Sequence, residues 1–355
     1  MKILVVADWH GDIYAQAFYD GFEKLGEDVF KFSWKEYFHH YQYSNRYTID
    51  GNKLKSFYYR SQNKFLIGPV LWKINKDLIQ QCEEIKPDLV FVYRGTHIYP
   101  STIKTIKEKF ACKVFGYNND DPFSDEYANY VWRYYKKSIP YYDHIFSYRW
   151  KNIHDYKAIG YESVSLLRSY YLKDKNFHIE NLPIDKYKCD VMFIGHFEND
   201  GRDEALKLLI ENGVDIKIYG TEWENSQYYN FFIEKLGKIE PLYDDYNLAL
   251  NSAKIALVFL SKLNNDTYTR RCFEIPATKT MMMAEYTDDL NSIFEEGREA
   301  EYFKNKEELL KKIQYYLSRE DKLNTIGENG YKRLVNDGHE VVDRCQQILK
   351  VYNED

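Results

Sequence analysis

The stretch DTYTRRCFEIPATKTMMMAE, Asp266 to Glu285, sets the carboxylate of Glu274 between Phe273 and Ile275, with Arg270 and Arg271 just upstream. A guanidinium matches an anion in a bidentate fork, and a carboxylate accepts hydrogen bonds through both oxygens. At the edge of an apolar segment such groups have three uses: holding a ligand, placing an acid at a helix N-terminus, or forming a buried ion pair. Other polar loops follow apolar runs in the same way. ADWHGD carries His10 and Asp12, YRGTH carries Arg94, and FGYNNDDPF carries Asn119, Asp120 and Asp121. Asp120 or Asp121 could deprotonate a hydroxyl within hydrogen-bond reach, and His10 is the other candidate base. The plain alternatives are an Asx-Pro turn and a solvated histidine.

FIGHFENDGRDEAL carries Gly195, His196 and Arg202 where a helix is expected to start. Free backbone N–H groups and the helix dipole attract phosphate at such a place. YGTEW carries Gly220 and Thr221 at the end of the following strand. An ordinary turn is the alternative for both loops. No D-x-D triplet occurs, and the nine histidines show no H-x-x-x-H or H-E-x-x-H spacing, so no metal site is expected; with no G-x-G-x-x-G fingerprint after either first strand, no cofactor is expected either.

The elements that must carry these loops are legible as periodicities. MKILVVADWHGDIYAQAFYDGFEKLGEDVFKFSW reads as strand, turn, helix with Ala15, Phe18, Phe22 and Leu25 on one face, and strand, with Gly26 as the stop. A strand over 89–93, a Lys-rich helix and a strand over 113–117 repeat the pattern. It restarts after residue 188 with CDVMFIGHFENDGRDEALKLLIENGVDIKIYG. IALVFL predicts a buried strand, Met281 to Met283 buried strand or core, and NKEELLKKIQYYL an amphipathic helix; the segment from Glu340 to Tyr352 also reads as helical. Residues 35–60, aromatic and irregular, are read as an insertion or loop region, with no helix or strand assigned to it. The expected architecture is α/β, two Rossmann-like doubly wound domains facing each other across a cleft, with ligands at the carboxyl ends of the strands. The expected boundaries are 1–170, a linker over 171–188, 189–340, and a C-terminal helix over 341–355.

At 355 residues two domains are the default, and a net charge of −6 argues against nucleic acid as main partner. Five scattered cysteines without a C-x-x-C pair give no disulfide framework, and no signal peptide or apolar run long enough for an integral membrane segment is read. A cytoplasmic protein is expected.

The span from Asn251 to Asp321 resembles the donor-binding half of GT-B glycosyltransferases, and most closely the spore-maturation (CgeB-like) group. Thr269, Arg271, Phe273, Glu274, Pro276 and Ala277 occupy that group's T-x-R-x-F-E-x-P-A box, and Asp289, Leu290, Phe294 and Gly297 its D/E-L-x-x-x-F-x-x-G turn. Thr278 and Lys279 stand where a small-Gly pair is usual. The resemblance implies a glycosyltransferase that moves a sugar from a nucleotide-diphosphate sugar to an acceptor, whether glycan, protein or small molecule, without metal. In that reading Glu274 takes the ribose diol and Arg271 the diphosphate, with Arg202, Gly195, His196, Gly220, Thr221 and Thr269 also on the donor side. Asp12, Asn119 and Arg94 stand on the acceptor side. Asp266 and Glu274 are eight apart, a D-x7-E version of the E-x7-E signature of retaining relatives, in which the first acid faces the sugar; the alternative for Asp266 is a solvated loop acid. An epimerase acting on a nucleotide sugar and a non-catalytic donor-binding module are the rival readings.

Overall fold

A computed structural model describes residues 1–38, 53–183 and 186–354. Among them the chain forms two compact units, Met1–Arg168 with Val341–Asp355, and Ser169–Glu340. The first unit runs β1 (Lys2–Ala7), α1 (Ala15–Lys24), β2 (Asp28–Ser33), α2 (Lys53–Phe65), α3 (Pro69–Ile85), β3 (Leu89–Tyr93), α4 (Pro100–Phe110), β4 (Lys113–Asn118), α5 (Arg133–Ser138), β5 (His144–Ser147), α6 (Trp150–Ala158) and β6 (Val164–Leu166). The second runs β7 (Cys189–Ile194), α7 (Arg202–Glu211), β8 (Ile216–Tyr219), α8 (Tyr229–Leu236), α9 (Tyr246–Asn251), β9 (Ala253–Val258), α10 (Arg271–Ala277), β10 (Met281–Glu285), α11 (Asp288–Ile293), β11 (Glu301–Phe303), α12 (Lys306–Leu317) and α13 (Glu320–Asn336). The last helix, α14 (Val341–Glu354), returns to the first unit and packs on α1, where Cys345 Sγ lies against Phe18 O.

Both sheets are parallel. The first has the order β2-β1-β3-β4-β5-β6, the second β11-β10-β9-β7-β8. Their strands are nearly continuous apolar runs because helices cover both faces: Leu89 to Tyr93 and Met281 to Ala284 are wholly buried. Reversal of strand order leaves a crevice at the carboxyl end of each sheet, between β1 and β3 in the first and between β7 and β9 in the second. These are the places a ligand meets in such a sheet.

Two segments differ from the sequence reading. Part of the presumed irregular insertion is α2; residues 39–52 lie outside the described residues. The described part of the presumed linker is fastened to the second unit. Asn247 and Asn251 amides bond Phe177 O, Asn251 Oδ1 accepts from Ile179 N, and His178 Nδ1 lies 3.0 Å from Thr278 O.

His97 is buried under α2, stacked on Trp34 with ring centroids 5.5 Å apart and bonded through Nε2 to Asn63 Oδ1 at 2.9 Å. Burial, helped by the nearby Arg94 charge, pushes its pKa down to about 3. The unfolded chain therefore binds a proton at this site below its ordinary pKa of about 6.5 that the folded chain refuses, and stability falls as pH falls through that window. Between pH 6.5 and 5, where carboxylates contribute least, the slope should approach ~1.4 kcal/mol per unit. Melting curves across this range should be flatter for His97→Gln than for the wild type; equal slopes would exclude the site.

Candidate functional site

In the second unit the loops after β7 and β8 are laced together. Gly195 N donates to Tyr219 O at 2.8 Å, Phe197 N to Thr221 O at 3.0 Å, and Trp223 Nε1 to Gly195 O at 3.0 Å. Gly220, at φ +148°, lies so close that a Cβ there would sit 1.9 Å from Gly195 O. Only glycine fits, and its identity brings the two strand ends into contact. Thr221 is exposed at the rim.

Arg271, the first residue of α10, approaches from the other side of the crevice. Its Nη2 would lie 3.1 Å from a Cβ added at Gly195. The guanidinium is half-buried and forms no ion pair among the described residues. A cation held beside a bare glycine backbone at a switch point is a fitting site for an anion.

Arg202 is placed differently from the expectation that it reaches a diphosphate. It is only 3% exposed, and its donors are consumed by its own loop: Nε to Asp200 Oδ1 at 2.9 Å, Nη2 to Asp200 Oδ2 at 2.6 Å, and Nη1 to His196 O at 2.8 Å. It shapes the 195–201 loop and leaves no fork to spare. The start of α7 is likewise occupied, since Asp200 Oδ1 caps Arg202 N and Asp203 Oδ1 caps Glu204 N. Phosphate would meet fewer free donors there than the sequence suggested.

Glu198, which the sequence reading passed over, ties this corner together. One oxygen pairs with His196 Nε2 at 2.9 Å and lies 3.4 Å from Arg202, and the other accepts from Ser261 Oγ at 3.1 Å, joining the loops after β7 and β9. Burial pushes its carboxyl up, but His196, Arg202 and Ser261 outweigh that and hold it below the usual range. His196 itself is exposed.

Glu274 does not face an open crevice. Its Oε1 accepts from Arg270 Nε at 2.6 Å, its Oε2 from the Tyr246 hydroxyl at 2.7 Å, and the residue is 6% exposed. Burial, reinforced by the Glu274 carboxylate, pushes the Tyr246 phenol well above its ordinary value, so it stays a donor. Arg270 also lies over the Tyr170 ring at 4.7 Å. Of the three uses open to this acid, the geometry supplies the ion pair. Thr269 stands one residue before Arg270, its hydroxyl 4.0 Å from Cys272 Sγ. Asp266 is half-buried in the loop between β9 and α10, its N–H bonded to Ser261 O.

In the first unit, His10 and Asp12 are exposed in the loop after β1, where Trp9 (φ +54°) and Gly11 (φ +72°) are left-handed. Arg94, at φ +70°, directly follows β3 and pairs with Asp120 at 3.1 Å. Asn119 O accepts from Arg149 Nη1. Asp121 is corrected as a candidate base. It is wholly buried, paired with Lys151 at 3.0 Å, bonded by Asn152 Nδ2 at 2.6 Å, and closes an Asx turn onto Phe123 N. A carboxylate so committed cannot reach an acceptor hydroxyl. Asp120 keeps an exposed edge. Among the described residues no group of three or more His, Cys, Asp or Glu is placed to hold a metal ion, and no helix is long and apolar enough to cross a membrane.

Comparison with known proteins bears on this arrangement. Residues 202–350 match the family model described as glycosyl transferase-like. No curated protein matches the chain. Among solved structures, a glycosyltransferase from Rickettsia africae is similar with a TM-score of 0.69 at 15% identity, covering 99% of this chain and 98% of that one. Anabaena HepE, in complex with UDP and glucose, gives 0.68 at 12% identity over 100% of both chains. Sucrose-phosphate synthase from Thermosynechococcus elongatus gives 0.69 at 10% identity over 100% and 98%. The fold is therefore GT-B, with its two parallel α/β units.

Proposed function

We propose that the chain is a glycosyltransferase of the CgeB-like group that binds a nucleotide-diphosphate sugar on its second unit and an acceptor on its first. The observation that carries this reading is Arg271, a guanidinium without an ion-pair partner among the described residues, beside Gly195 at the β7/β9 switch point. In this account Arg271 faces the leaving diphosphate with the exposed His196 beside it, and the fixed guanidinium charge stabilises the transition state better than the ground state. Gly220, Thr221 and Thr269 border the nucleoside, while Glu274 and Arg202 hold the scaffold rather than the ligand. UDP-sugars are the first donors to try, because HepE was solved with UDP and glucose. Asp120, oriented by Arg94, is the proposed base, with His10, Asp12 and Asn119 nearby on the acceptor side and Asp266 on the sugar side.

A thermal-shift panel of nucleotide sugars followed by product analysis tests the reading. Release of free nucleotide with a transferred sugar supports it, interconversion of the sugar points to an epimerase, and binding without turnover to a donor-binding module. Turnover in excess EDTA should equal that in Mg²⁺. Asp120→Asn should lower kcat by about 10²-fold with little change in donor KM; unchanged kcat would move the base elsewhere.

A further inference from the structure

The helix α2 is built inside out. Apart from Tyr59, which packs against the core, its inward side is polar: Ser56 and Gln62 are buried, Gln62 Oε1 accepts from Val70 N, and Asn63 bonds His97. Its outward side is apolar, with Leu54 83% and Phe57 72% exposed, and Tyr58 and Phe65 about half exposed. At 100° per residue these four fall within one third of the helix circumference, with Lys55 on one flank and Lys53, Arg60 and Lys64 on the other. Beyond them Ile67, in the turn to α3, and Trp72, in its first turn, are also more than half exposed. The helix carries four basic residues and no acidic one, in a chain of net charge −6. Arg133 Nη2 bonds Phe65 O at 2.8 Å and also reaches Leu66 O, which fixes the end of the helix on the unit.

We propose that this face is a membrane-surface docking site, in which the apolar side chains of α2 enter an anionic lipid interface and the flanking lysines meet its headgroups. Single exposed apolar side chains are ordinary, but a contiguous apolar patch marks an interaction surface, and a central apolar stripe between basic flanks is the pattern of a helix lying in a headgroup layer. A second copy of the chain fits less well, because a two-fold contact through this face would set Lys53, Lys55 and Lys64 against their own equivalents. The occupant must bring negative charge and a soft apolar layer together, and an anionic bilayer surface brings both. The site would hold the first unit at a membrane without crossing it.

Co-sedimentation of the full chain with vesicles decides it. The chain should pellet with phosphatidylcholine–phosphatidylglycerol vesicles, much less with phosphatidylcholine alone, and less as salt is added. The double variant Leu54→Ser, Phe57→Ser should lower the partition coefficient about tenfold or more while melting like the wild type, since both side chains are exposed. Lys53→Gln, Lys55→Gln, Lys64→Gln together should lower it by about 10²-fold on anionic vesicles and little on neutral ones. Failure to bind anionic vesicles at low salt overturns the proposal, as does binding that the double variant leaves unchanged. So does a dimer in sedimentation velocity that the double variant abolishes, without vesicle binding.

Discussion

Gly220→Ala should unfold the second unit many degrees below the wild type. The new Cβ would stand 1.9 Å from Gly195 O, and neither side can retreat. Gly220 N is held by Glu240 O, Gly195 N by Tyr219 O, and Gly195 O itself accepts from Trp223. Overpacking against immobile backbone together with a φ of +148° should cost ~3 kcal/mol or more, which for a unit of this size is about 6–12 °C in Tm. Gly213→Ala is the control, since its φ of +76° is also positive but nothing lies within 4 Å of the added atom. It should cost only about 1 kcal/mol. Calorimetric scans that place the two variants within a degree of each other would mean that the contact between the β7 and β8 loops does not constrain the fold.

Glu274→Ala should lower apo stability by about 3–5 kcal/mol, the usual consequence of removing one member of a buried ion pair. Arg270 and Glu274 side chains are 14% and 8% exposed, so water can do little to replace the lost carboxylate. Tyr246 loses its acceptor at the same time. Glu274→Gln keeps an oxygen for Tyr246 and should fall between the wild type and alanine. Replacing both members of the pair, as Arg270→Met with Glu274→Leu, should recover much of the loss, because it removes both buried charges together. Urea denaturation of the four proteins checks this. Wild-type stability in Glu274→Ala, together with lost nucleotide affinity, would return Glu274 to direct contact with the donor.

What was legible in the chain was whatever its chemistry writes locally. The strands β1, β3, β7 and β9 are short apolar runs, the methionines of β10 fill a buried strand, and Leu309 and Ile313 on α12 repeat at helical spacing and are buried. The turns at Gly195 and Gly220 could be placed because they end such strands. What stayed hidden was the choice of partner. A guanidinium reaching a phosphate and one reaching an aspartate two residues away look alike in sequence, so Arg202 could be placed at a helix start but not seen to be spent on Asp200. Glu274 is satisfied by a tyrosine 28 positions upstream, and Asp121 by Lys151 and Asn152, 30 and 31 positions downstream, contacts that only the tertiary fold creates. The helix α2 escaped notice for a different reason. Its apolar residues other than Tyr59 face outward, so the periodicity that ordinarily marks a core-facing helix pointed at no core. Glu198 had a weaker signal, an acid two residues after His196 in a strand-end loop.

The proposed donor site requires Arg271 to serve a ligand while its neighbours serve the fold, and isothermal titration of a nucleoside diphosphate into wild-type and Arg271→Ala protein, with apo melting curves of both, tests that directly. A charge-assisted contact is worth roughly 1.5–3 kcal/mol, so the variant should bind about 10- to 150-fold more weakly. Arg271→Lys should recover only part of the loss, since a point charge lacks the planar fork. The apo Tm should stay within a degree or two of wild type, because no ion pair among the described residues is broken. Unchanged nucleotide affinity together with a lowered apo Tm would contradict the account, making Arg271 part of the scaffold and placing the donor site elsewhere.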